Sequence, residues 1–264
     1  MYTNLWIDYF SCIFVKRNER NETQDKMIGI WDYTVILTYG SLLSAVMGIL
    51  VSLSGHGHPY FGVLFLLLCG LFDTFDGRVA RSKKNRTKKE KDFGVQIDSL
   101  SDLVAFGVLP VCIGMGLWKR DMFDAGRVAG ATMVKQPSVL CTIPEAVIVI
   151  VSAFFVLAAL IRLAYFNITV EETQGDCVGD NKYYYGLPVT STALIFPAFL
   201  LLRHILYINS VNISFAYYIV LIIVAVLFVL KFKLKKPGTA MLYFMVFLGA
   251  LEFIAMIVVK HFAR

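Results

Sequence analysis

Apolar residues in this chain come in long runs broken by short polar stretches. They do not form the i, i+3, i+4 stripes of helices that show one face to water. Seven such runs fall near residues 33–54, 60–77, 95–117, 144–168, 186–206, 213–231 and 239–259. Each is about as long as the stretch of helix that crosses ~30 Å of hydrocarbon. Backbone groups in lipid must be satisfied within their own segment, so the pattern predicts an all-α polytopic membrane protein with about seven transmembrane helices. All of 1–264 reads as one integral-membrane domain, with 1–32 on the cytoplasmic side or in the interface. Residues 1–16 mix aromatic and polar side chains ahead of a charged turn. This predicts an interfacial amphipathic helix, with a plain tail as the bland alternative.

Composition narrows the class. With 58% hydrophobic and 17% charged residues and a mean hydropathy of +0.67, a soluble domain is excluded. The net charge of +6 is unevenly spread: 18 of the 25 Lys and Arg residues fall in 1–32, 78–94, 162–185 and 231–238. Alternating spans put those segments on one side, and the positive-inside bias makes that side cytoplasmic, with the cell membrane as the expected location. Membrane lipids are expected partners. Nucleic acid is not, because no basic surface interleaved with aromatics stands apart from the apolar runs. The five cysteines show no CxxC pairing or metal spacing, and His56 and His58 share a short outer turn with no third ligand. The first residues lack a basic start followed by an apolar core, so the first span is expected to serve as the insertion signal.

The chemistry concentrates where two runs meet the cytoplasmic side. Residues 73–81 read Asp-Thr-Phe-Asp-Gly-Arg-Val-Ala-Arg and, after a basic connector, 94–102 read Gly-Val-Gln-Ile-Asp-Ser-Leu-Ser-Asp. On a helix Asp73 and Asp76 (i, i+3) share a face, as do Asp98 and Asp102 (i, i+4). Two facing helices with two carboxylates apiece make a cage of hard oxygen ligands suited to Mg²⁺ or Mn²⁺. Ionised groups at the edge of hydrocarbon are costly and default to a functional role. Gly77 has no Cβ and lets a ligand approach its backbone; Ala80 is nearly as small, and Arg81 offers phosphate a fork of donors. Taken singly, these small residues read as helix packing. Intramembrane carboxylates alone would also suit a cation- or proton-coupled transporter, although no internal repeat supports one.

The order Asp-x-x-Asp-Gly-x-x-Ala-Arg followed by Gly-x-x-x-Asp-x-x-x-Asp resembles the signature of the CDP-alcohol phosphotransferases, integral-membrane enzymes of phospholipid synthesis. The stretches Phe72–Arg81, Phe93–Pro110, Arg162–Asn167 and Tyr185–Pro188 are most similar to members that accept serine. The resemblance implies transfer of the phosphatidyl group of CDP-diacylglycerol to the hydroxyl of L-serine, giving phosphatidylserine and CMP. It implies Asp73, Asp76 and Asp98 as metal ligands, Asp102 as general base with a share in metal binding, and two divalent cations. Asp73, Gly77, Ala80, Arg81 and Gly94 would bind the CDP diphosphate, with Gly94 keeping the start of its helix accessible. Arg162, Asn167 and Ser99 are the expected acceptor site, since the Arg-x-x-x-x-Asn pattern recurs in the serine branch. The bland reading is that Arg162 snorkels to the interface. Glycerol 3-phosphate, inositol phosphate or another polar alcohol stays open as acceptor. The family core has six spans, which makes 239–259 an extra helix, and the resemblance implies a homodimer. The chain departs from the family pattern in its long connector, 82–93, whose bland reading is a positive-inside anchor.

Overall fold

In the computed structural model of the chain, the described residues are 29–83, 85–129, 140, 143–175, 183–208 and 211–235, with 247, 251 and 254. Met1–Asp32 and Tyr33–Arg264 are separate compact units, and everything below concerns the second. The amphipathic helix expected over 1–16 lies outside the described residues. So does most of 239–259, of which Phe247, Leu251 and Ile254 are helical and exposed.

A 3₁₀ turn (Tyr33–Val35) leads into α1 (Ile36–Leu53). α2 (Pro59–Ser82) follows a tight turn in which Gly55 and Gly57 hold positive φ, and Pro59 starts the helix where its missing N–H costs nothing. α3 (Lys88–Asp102) runs through a π-helical stretch (Leu103–Val108) into α4 (Leu109–Ala129). Then come α5 (Glu145–Gly175), α6 (Thr192–Ile208) and α7 (Ala216–Val229). Helices thus stand at the first six expected runs. Among the described residues four stretches are long and apolar enough to cross a membrane, namely Tyr33–Leu53, Lys88–Ala125, Glu145–Ile168 and Val189–Tyr207, and the chain is an integral membrane protein. α7 is apolar but has 14 residues, while α2 has 24 and carries Asp73, Asp76, Arg78 and Arg81 towards its C-terminus.

The core lies between these helices. Phe106, Phe155, Phe196 and Tyr217 are fully buried, with Phe196 against both Phe155 and Tyr217. The Tyr217 hydroxyl donates to the Pro110 carbonyl (2.7 Å), so its polar end is satisfied inside the bundle. α2 and α6 approach closely: a Cβ at Gly70 would stand 2.7 Å from that of Ala193.

Two expectations from the sequence need correction: an outer loop over 118–143 and a polar cytoplasmic loop over 169–184. Residues 118–129 continue α4 instead of opening an outer loop, and α5 extends to Gly175 through a polar stretch. Hydropathy marks where lipid ends, and a helix is free to run on into water. His56 is an exposed turn residue, as expected, and its ring also stacks on Phe123, centroids 3.5 Å apart. The all-α class holds, with one small ladder added between helices. β1 (Tyr183–Tyr185) pairs antiparallel with β2 (Lys233–Lys235), Tyr184 opposite Leu234, giving the backbone of two inter-helix segments mutual partners.

Candidate active site

The connector between the two halves of the aspartate motif is a built turn. α2 ends at Ser82 and α3 begins at Lys88, so only 83–87 are outside a helix. Thr87 caps α3: its hydroxyl accepts the Glu90 N–H (3.2 Å), and the Glu90 carboxylate accepts the Thr87 N–H (2.7 Å). Lys83 closes the turn with an ion pair to Glu90 at 2.9 Å. The Thr-x-x-Glu spacing was readable in the sequence, but the run of lysines around it reads first as an anchor.

That turn brings α3 back to pack on α1, beside α2, so that the carboxylates of α2 and α3 meet across the gap between them. Asp73, Asp98 and Asp102 each present a carboxylate oxygen, and these lie within 4.8 Å of one another. Asp76 is buried, is within hydrogen-bonding reach of Asp98, and accepts from the Thr38 hydroxyl of α1 at 3.5 Å. The four aspartates form one cluster drawn from two helices. Ser101, between Asp98 and Asp102, donates to the Thr38 carbonyl (3.2 Å) and ties α3 to α1. Thr38 carries no sequence signal beyond a hydroxyl inside an apolar run. The π-helical stretch begins directly after Asp102; its wider turn rotates the continuing helix, so that Ile113 and Leu117 of α4 enter the core. Carboxylates this close repel one another, and a divalent cation relieves that repulsion. The donors are all hard oxygens, a set that fits Mg²⁺ or Mn²⁺.

The small residues of the motif separate into two kinds. The atoms nearest a Cβ built on Gly77 are those of the Arg81 guanidinium, at 3.7 Å, so only a flexible side chain lies over that surface. Gly94 differs from expectation. It lies inside α3 and does not open it, and a Cβ there would stand 2.7 Å from Nη2 of Arg86. The Ala80 carbonyl accepts from Nη1 of the same arginine at 3.5 Å.

Of the expected acceptor residues, two meet. Asn167 Nδ2 donates to Ser99 Oγ (2.9 Å), beside Asp98. Arg162 is engaged elsewhere: its Nε donates to the Leu187 carbonyl (3.2 Å), its guanidinium lies over the Phe166 ring (5.4 Å), and it is 6% exposed. It does not snorkel outward. Five residues on a helix turn through about 140°, which puts Arg162 and Asn167 on different faces of α5. Gly186 bends the chain under Arg162 with φ +74°, 3.5 Å from Nε if it bore a Cβ.

Comparison with known proteins supplies the family. The CDP-alcohol phosphatidyltransferase family matches residues 33–260. A CDP-diacylglycerol–serine O-phosphatidyltransferase of Saccharomyces cerevisiae is 34% identical over 164 residues, 61% of this chain and 49% of that protein. One of Helicobacter pylori is 29% identical over 161 residues (61% and 53%), and one of Methanocaldococcus jannaschii is 27% identical over 185 residues (70% of each). The chain spans about half the length of the yeast and Helicobacter relatives. No solved structure matches it. A match running across most of the chain, with the two aspartate pairs inside it, makes this protein a member of the CDP-alcohol phosphatidyltransferase family.

Proposed function

We propose that the chain transfers the phosphatidyl group of CDP-diacylglycerol to the hydroxyl of L-serine, giving phosphatidylserine and CMP. The observation that carries this reading is the cluster of Asp73, Asp98 and Asp102, with Asp76 beside it, on two helices of a membrane protein. The names of the relatives supply the acceptor.

Asp73, Asp76, Asp98 and Asp102 would hold two divalent cations, Mg²⁺ or Mn²⁺. Bound there, the cations supply charge neutralisation for the diphosphate. Arg81, folded over Gly77, turns its guanidinium to the phosphates, and the bare backbone at Gly77 and the small Ala80 let them approach. Asp102 takes the proton of the serine hydroxyl as its oxygen attacks phosphorus; the bond from phosphorus to the CMP oxygen breaks and CMP leaves. Ser99 and Asn167 orient serine next to Asp98, and Arg162 supports the loop 186–188 at the edge of the site. The site faces the cytoplasm, where the basic segments lie, and the location is the cell membrane. We read 1–264 as one domain of seven spans, with 239–259 as the addition to a six-span core, working as a homodimer in contact with membrane lipids.

The test is CMP release by the full chain in lipid nanodiscs given CDP-diacylglycerol and Mn²⁺, with serine, glycerol 3-phosphate, inositol phosphate and choline in separate reactions. Release with serine alone, lost with EDTA and in Asp102→Asn, is the expected result. Release with another alcohol replaces the acceptor. No release with any of them, from folded protein that binds metal, overturns the enzyme reading and returns the aspartates to ion transport.

A further inference from the structure

Arg86 stands in the turn between α2 and α3, and its guanidinium reaches back to both. Nη1 donates to the carbonyl of Ala80 (3.5 Å) near the end of α2, and Nη2 donates to the carbonyl of Glu90 (3.0 Å) in the first turn of α3. Nη2 also fills the space that a side chain at position 94 would need. The side chain is half-buried, and its Nε atom is buried with no hydrogen-bond partner among the described residues, so the guanidinium is held against the turn despite its place in a charged connector. The Thr87–Glu90 capping box and the Lys83–Glu90 pair stiffen the same turn around it.

The two helices carry this constraint directly to the cluster. Asp76 lies four residues before Ala80 and Asp98 four residues after Gly94, about one helical turn in each case. A displacement of Gly94 relative to Ala80 is therefore passed through one stiff turn on each side to Asp98 relative to Asp76. We propose that Arg86 is a positioning residue for the carboxylate cluster, setting the separation of α2 and α3, and that position 94 is glycine to seat its guanidinium. The proposal rests on the reading of the aspartates as metal ligands. It differs from a positive-inside role in a way chemistry distinguishes: lysine keeps the charge but offers one nitrogen, and cannot span two carbonyls while filling the seat.

The experiment uses the 264-residue chain in nanodiscs as wild type, R86A, R86K, G94A, the G94A/R86A double variant and K88A, an exposed lysine at the start of α3. Hydrogen exchange over 83–98 is measured without metal, Mn²⁺ affinity by electron paramagnetic resonance of the free ion, and CMP release alongside. R86A and R86K are both expected to speed exchange at 90–95 several-fold and to weaken Mn²⁺ by about tenfold, the low end of the cost of losing outer-shell support. K88A should match wild type. G94A, by expelling the guanidinium, should reproduce R86A, and the double variant should be no worse than either. Full function in R86K would show that charge suffices and overturn the proposal. So would additive effects in the double variant, or wild-type exchange and Mn²⁺ affinity in R86A. If wild type binds no Mn²⁺, the metal reading fails by itself, and the exchange difference alone decides whether Arg86 holds the turn.

Discussion

At the end of the bundle away from the aspartates, Arg203 of α6 and Asp121 of α4 are paired at 3.0 Å with side chains 4% and 3% exposed. Arg203 also donates to Ser214 Oγ (2.7 Å) and to the Tyr60 hydroxyl (2.6 Å), so one guanidinium ties α6 to α2, to α4 and to the segment leading into α7. Asp121→Asn keeps the shape of the site and removes the compensating charge. Breaking a buried pair from one side costs about 3–5 kcal/mol. At roughly 2–4 °C per kcal/mol for a chain of this size, the midpoint of thermal unfolding should fall on the order of 10 °C. Asp121→Leu combined with Arg203→Met should recover part of that loss, since an apolar pair of similar volume strands no charge. Unfolding in nanodiscs can be followed by tryptophan fluorescence. Tyr60 and Asp73 are separated along α2 by about 20 Å of helix, so CMP release at 25 °C should stay within about twofold of wild type. A fall of less than about 3 °C, or a double variant as unstable as Asp121→Asn, would refute the reasoning, which requires the unpaired guanidinium to be the source of the cost.

Other outcomes follow from the site and its supports. Asp98→Asn should lower CMP release at least about 100-fold and weaken Mn²⁺ binding while leaving the unfolding midpoint near wild type, because on the proposed reading it removes a metal ligand, while the amide still reaches Asp76 and relieves the crowding of like charges. Chelation of the wild-type protein should abolish release, and added Mn²⁺ or Mg²⁺ should restore it. Asn167→Ala leaves the Ser99 hydroxyl without its amide donor, and it should raise the KM for serine several-fold with little change in the KM for CDP-diacylglycerol. Gly186→Val puts a β-branched residue at φ +74° with its Cβ 3.1 Å from the Leu230 carbonyl. It should cost about 1–3 kcal/mol, seen as a lower midpoint and faster exchange over 183–187.

What the sequence makes legible here is the chemistry spaced by helix geometry. Lipid forces the apolar runs to be helices, so Asp73 with Asp76 and Asp98 with Asp102 had to share faces, and the cluster follows once the helices are adjacent. Features that depend on two distant segments meeting leave no local trace. Arg203 and Asp121 are 82 residues apart, and nothing near either marks the other as its partner. The same arithmetic that located the aspartates could have parted Arg162 from Asn167, whose spacing of five does not make a face. The two glycines of the motif show where a pattern stops and packing begins. Both read alike in sequence, as places without a Cβ. At Gly77 the nearest cover is the flexible Arg81, which leaves room for the ligand approach proposed above. At Gly94 the space is filled by a guanidinium already bound to two carbonyls, so the missing side chain serves the protein itself. A motif records that a side chain must be absent; the neighbour that needs the room is visible only once the turn at 83–87 has closed.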